Sequence, residues 1–140
     1  WLCAYDFLKS GDAYKIHKII AVGKSMGGRV ASQMVAQELM DMDGLIFLGY
    51  PLHAPGKKDT LKDAHLYHIK VPVLFFAGTR DSLCDLSRLN GVLDKLVCQW
   101  DLDIIDGGDH SFKLLKSDPR TQKDVQVQVF SKCLDWLKTD

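Results

Sequence analysis

Four short apolar runs, Lys18 to Val22, Leu45 to Gly49, Val71 to Ala77 and Gln99 to Ile105, recur along the chain with long intervals between them. Each is bounded by Gly, Pro or Asp and is nearly continuous in its apolar character, the pattern of a strand buried on both faces rather than on one. Strands of that kind pair in parallel, and parallel neighbours need a crossover of a dozen or more residues, usually a helix. The intervals have that length. The spacing therefore predicts an α/β fold: a parallel sheet of about four strands with flanking helices.

The intervals carry helical patterning. Gly27 to Met40 places Val30, Met34, Val35 and Leu39 on one face, and Asp85 to Leu96 places Leu86, Leu89, Val92, Leu93 and Leu96 at helical spacing behind Asp85 as N-cap. Val125 to Val129 alternates like a strand, but Val125, Val129, Cys133 and Trp136 also form a stripe, and a Lys-rich continuation favours a helix over Thr121 to Lys138. Trp1 to Lys9 reads as a helix packed before the first strand. Pro51 to Thr60, with two prolines and Gly56, reads as a loop, followed by a short helix within Leu61 to His68.

A chain of 140 residues fits one domain, here residues 1–140. Its 18 basic and 18 acidic residues cancel with no run of like charge, which argues against a nucleic-acid partner or attraction to an acidic membrane surface. No apolar stretch approaches the roughly 20 residues of a membrane span. Cys3, Cys84, Cys98 and Cys133 are scattered without a CxxC pair, which suits free thiols in the cytoplasm. The opening Trp1-Leu2-Cys3 lacks Met, so the true beginning is expected upstream.

The chemistry concentrates at strand ends. Directly after the first run stands Gly23-Lys24-Ser25-Met26-Gly27-Gly28, a G-x-S-x-G match at a strand-to-helix junction. In a chain of this composition the pattern arises by chance about one time in twenty, so its context has to carry it. Such a turn strains the serine backbone and needs small neighbours, which Gly23, Gly27 and Gly28 supply; the following helix would aim the Met26 amide at a developing oxyanion. A serine hydroxyl is a weak nucleophile without a base, and the base needs an acid to orient it. After the third run, Gly78-Thr79-Arg80-Asp81 presents Asp81 at the carboxyl edge of the sheet. After the fourth, Gly107-Gly108-Asp109-His110 presents His110. Asp85 and Asp106 are alternative acids, and a Ser25 that only caps its helix is the alternative to a nucleophile.

At these residues the chain resembles the α/β-hydrolase superfamily, in its small dienelactone-hydrolase-like branch, from Lys18 onward. Gly49-Tyr50-Pro51-Leu52-His53, Pro72 to Gly78 and the segment around His110 are similar to that group. The chain order Ser25, Asp81, His110 is the α/β-hydrolase order. The resemblance implies Ser25 as nucleophile, Asp81 as acid and His110 as base. It also implies earlier strands, and a loop giving a second oxyanion donor, outside this sequence. The first strand would then be an open edge in this chain alone, inviting self-association. Dienelactone hydrolases carry cysteine where this chain has Ser25, so their lactone substrate is not implied.

Two function classes follow: a serine hydrolase acting on a small-molecule ester or related acyl bond without a cofactor, or a non-catalytic interaction module on the same fold. Other candidates read as structure. His65 and His68 have ligand-like spacing but no matching third ligand, so no metal site is expected. Asp109 reads as a turn former, His53 as loop structure or pocket lining, and Cys84 as a semi-buried structural thiol.

Overall fold

The computed structural model describes residues 1–10 and 15–138. Its elements follow in the order α1 (Leu2–Ser10), β1 (Ile20–Lys24), α2 (Met26–Ala36), β2 (Gly44–Leu48), a 3-10 helix (Ala64–His68), β3 (Val73–Gly78), α3 (Leu86–Leu93), β4 (Trp100–Ile105) and α4 (Gln122–Lys138). The four strands form one sheet in the order β1-β2-β3-β4, every pair parallel. This is the expected α/β class.

The handedness of the crossovers explains the layering. Parallel connections are right-handed, so strands laid down in steady sequence order send every crossover to the same face. That face carries α2, the 3-10 helix and α3, whose Ala31, Val35, Leu66, Leu89 and Leu93 pack on Ala21, Leu45, Phe47, Val73 and Phe75. The opposite face is left to α4, where Val125 and Trp136 pack on Ile46, Leu74 and Phe76. Between two helical layers, every residue of β3 is buried and β2 is buried over its first four residues. Each large side chain enclosed this way contributes on the order of 1.5–3 kcal/mol. Among the described residues strand β1 pairs only with β2, and Val22 on it is exposed.

Element ends depart from the sequence reading, each for an identifiable reason. Strand β1 begins two residues late because the Asp43 carboxylate takes the Ile19 N–H (2.6 Å) and Ile19 O takes the Asp43 N–H (2.8 Å), closing the chain outside the ladder. It then runs on through Gly23 to Lys24. Helix α2 stops at Ala36, not Met40. Glu38 adopts a left-handed conformation (φ 57°), and Leu39 N–H bonds Met34 O (2.9 Å) while Glu38 N–H bonds Val35 O (3.0 Å), a Schellman closure without the usual glycine. Its buried face is Gly28, Ala31, Ser32 and Val35; of the predicted stripe Val35 is buried and Met34 packs at the core's margin, while Leu39 is exposed. Helix α3 also ends early, at Leu93, where Lys95 and Leu96 N–H groups turn back to carbonyls three residues behind. Asp85 caps it as expected, accepting the Arg88 N–H. Thr121 and Asp124 close the start of α4 with reciprocal side-chain-to-backbone bonds, in the manner of a capping box.

Candidate active site

Ser25 sits between β1 and α2 at φ 50°, ψ −122°, a conformation that costs a non-glycine residue of order 1–3 kcal/mol. The surroundings hold it there. Its N–H bonds Leu48 O at the end of β2 (3.1 Å), and its O takes the Arg29 N–H (3.2 Å), the first bond of α2. Strand and helix backbones touch beneath it: a Cβ on Gly23 would lie 2.3 Å from Gly28 Cα, and one on Gly28 would lie 2.7 Å from Gly23 O. Gly27 differs from the sequence reading, for a Cβ there would meet nothing within 4 Å. The room at the elbow comes from Gly23 and Gly28.

The Ser25 hydroxyl does not cap its helix. Its Oγ lies 2.8 Å from His110 Nε2, and His110 Nδ1 lies 2.8 Å from Asp81 Oδ2. The other oxygen of Asp81 accepts the Leu83 N–H (2.7 Å). The Asp81 carboxylate has no exposed surface, while the His110 side chain keeps 19%. With Nδ1–H donated to the carboxylate, the Nε2 lone pair faces the serine hydroxyl and can take its proton.

Three strand ends converge to make this possible. Arg80 N–H bonds Gly108 O (2.9 Å), Gly107 N–H bonds Thr79 Oγ1 (2.7 Å) and Arg80 Nη1 bonds Gly107 O (2.8 Å), tying the Asp81 turn to the His110 loop. A Cβ on Gly78 would lie 2.2 Å from Gly108 O, so only glycine admits the loop against β3. Asp109 shapes that loop as a turn former, its Oδ1 accepting the N–H groups of Ser111 (2.8 Å) and Lys113 (3.0 Å). Phe112 follows at φ 63° with its ring in the core under α4. The alternative acids are occupied elsewhere. Asp85 caps α3 and pairs with Lys58 at 2.6 Å, a hydrogen bond that holds its carboxyl below the usual range. Asp106 accepts from Thr79 Oγ1 (3.3 Å). Cys84 is buried, and burial, helped by the Asp81 and Asp85 carboxylates, pushes its thiol up to about 12. It stays protonated at neutral pH.

A second serine–histidine pair, Ser32 and His65, lies under α2, and no motif in the sequence marks it. Ser32 Oγ donates to Arg29 O (2.7 Å), Tyr50 OH donates to Lys62 O (3.1 Å), and both oxygens face His65 Nε2 at 2.8 and 3.0 Å. With both hydroxyl protons committed, the pattern assigns His65 an Nε2–H that both oxygens share. Burial first, and the Arg29 charge second, lower the His65 pKa. Ser32 has no exposed surface, so no substrate can reach it. The cluster is core structure. Among the described residues no group of three or more His, Cys, Asp or Glu is arranged to hold a metal ion, and no helix is long and apolar enough to cross a membrane.

Residues 6–138 match the family model described as "Alpha/beta hydrolase domain". The fold is similar to dienelactone hydrolase from Anabaena variabilis (TM-score 0.67, 23% identity, 94% of this chain and 55% of that one). It is similar also to a Pyrococcus furiosus esterase (TM-score 0.76, 17% identity, 98% and 59%). A third likeness is to Est1E of Butyrivibrio proteoclasticus with ferulic acid bound (TM-score 0.69, 16% identity, 96% and 65%). The chain thus spans 55 to 65% of the length of these structures.

Proposed function

This chain belongs to the alpha/beta hydrolase domain family, and from that starting point we propose that it is a serine hydrolase that cleaves an ester or related acyl bond of a small molecule. The observation that carries the reading is the unbroken series Ser25 Oγ, His110, Asp81 at the carboxyl edge of a parallel sheet, with both links at 2.8 Å. In this reading Ser25 attacks the acyl carbon, and His110 takes the serine proton and returns it to the leaving alcohol. Asp81 holds the imidazole in the tautomer that makes this possible. The oxyanion is met by the Met26 N–H, which lies in the first turn of α2, where amides have no carbonyl of their own helix to bond. One such donor is worth about 100 to 1000-fold in turnover. No step calls for a metal or cofactor. The four free cysteines, two of them buried, fit a reducing compartment such as the cytoplasm.

The test is covalent labelling by a fluorophosphonate, which needs an activated hydroxyl, something that folding alone does not supply. The expected result is a single adduct on Ser25, lost in Ser25→Ala and in His110→Ala. A folded chain that takes no adduct would instead fit the non-catalytic interaction module.

A further inference from the structure

We propose that His53 is a positioning residue for Asp81, a neutral hydrogen-bond acceptor that pins the backbone behind the acid; the inference rests on the serine-hydrolase reading above. Asp81 reaches His110 through Oδ2, and its other oxygen is held by the Leu83 N–H. What fixes the Leu83 backbone on its far side therefore helps hold that N–H against the carboxylate. His53 does so from two directions. Its backbone N–H donates to Leu83 O (3.0 Å), and its Nε2 accepts the Asp85 N–H (2.9 Å). The residues on either side of Cys84 are thus both bonded to one histidine, with opposite polarity.

The histidine is itself fixed. Its Nδ1 lies 2.9 Å from Ala54 O, and donation of Nδ1–H to that carbonyl leaves the Nε2 lone pair free to accept the amide. His53 is 2% exposed, and its backbone bridges antiparallel to Leu61. The segment between β2 and the 3-10 helix is clamped there a second time, where the Lys62 N–H bonds Leu52 O (2.7 Å). A rigid anchor on one loop therefore holds the turn that carries the acid on another. The chemistry needed at residue 53 is narrow: an acceptor at the distance of Nε2, uncharged, in a dry setting. A hydrocarbon there would leave a buried amide unpaired.

Gln carries an amide near the Nε2 position, whereas Asn reaches only as far as Nδ1, so His53→Gln keeps the acceptor and His53→Asn loses it. From the other side, Asp85→Pro deletes the donor N–H at a backbone φ of −69° that proline adopts, and Asp85→Ala removes the same carboxylate while keeping the amide. Two readouts are taken on each: the maximal rate and half-saturation of fluorophosphonate labelling, and the far-downfield proton resonance of the His110 Nδ1–H bonded to Asp81. The expectation is that His53→Asn and Asp85→Pro lower the maximal labelling rate by about 10 to 100-fold with half-saturation unchanged, since small misplacements of a reacting pair cost that much. They should also weaken the resonance, while His53→Gln and Asp85→Ala keep both near wild type. The Asp85 pair decides alone if His53→Asn does not fold. Normal labelling and an intact resonance in His53→Asn or Asp85→Pro would overturn the inference. If the wild type itself does not label at Ser25, the hydrolase reading fails instead, and the resonance still reports whether residue 53 holds Asp81 on His110.

Discussion

The carbonyl oxygen of His110 occupies the space that a side chain on Gly49 would need: a Cβ there would lie 2.7 Å from it, and the His110 ring begins at 3.5 Å. Gly49 also has φ +71°, where L residues are strained. One glycine at the end of β2 therefore sets how closely the histidine loop can approach the serine.

Gly49→Ala should fold less stably, by about 1–3 kcal/mol from strain and crowding together, and should lose most of its fluorophosphonate reactivity because His110 is pushed from Ser25. Thermal unfolding and labelling rate, measured on the same preparation, check the two effects. Unchanged labelling would mean that the loop can shift without moving the ring.

The two glycines after the serine should behave oppositely. Gly27→Ala places a methyl in open space within α2, so it should keep reactivity and gain up to about 1 kcal/mol from helix propensity. Gly28→Ala drives a methyl against the Gly23 backbone and should cost about 1–3 kcal/mol or more. Urea unfolding midpoints of the two variants should move in opposite directions.

Much of this arrangement is legible in the sequence, and the parts that are not have identifiable physical reasons. The interiors of β2 and β3 read clearly because burial on both faces leaves a continuous apolar run. Ser25, Asp81 and His110 stand out because each follows such a run through a small turn, and the fold brings those three ends together. The start of β1 is not legible because Asp43, distant in sequence, decides it, whereas α2 and α3 end in backbone turns that no glycine marks. The partners of Ser32 and His53 are not legible, and His53 reads only as loop structure or pocket lining, because a single buried hydrogen bond between distant segments leaves no periodic trace. The strand-end glycines Gly49 and Gly78 were the available signal for the close approach of the His110 loop.

Among the carboxylates, Asp81→Asn should slow labelling by up to about 10,000-fold, since an amide favours the wrong imidazole tautomer. Asp85→Asn and Asp106→Asn should stay near wild type, because those side chains serve α3 and Thr79. Labelling rates of the three variants at one pH rank them. A larger loss at Asp85 or Asp106 would reassign the acid.

His65 gives the molecule a pH-dependent stability. Burial lowers its folded-state pKa below the ordinary 6.5, so between the two values the unfolded chain binds a proton that the folded chain refuses. Stability from this group is complete above 6.5 and falls as the pH drops toward the folded value. The urea midpoint should therefore decline on acidification below that point, and His65→Gln, which cannot titrate, should flatten the slope. An equal slope in the variant would place the acid sensitivity elsewhere.

Mass spectrometry of the protein quenched during turnover of an activated ester tests covalent catalysis by Ser25 most directly. The account predicts a transient acyl adduct on the peptide containing Ser25, absent with Ser25→Ala, which should lose nearly all turnover at little change in stability. Ester hydrolysis that persists in Ser25→Ala, or that proceeds in the wild type with the acyl group on another residue, would contradict it.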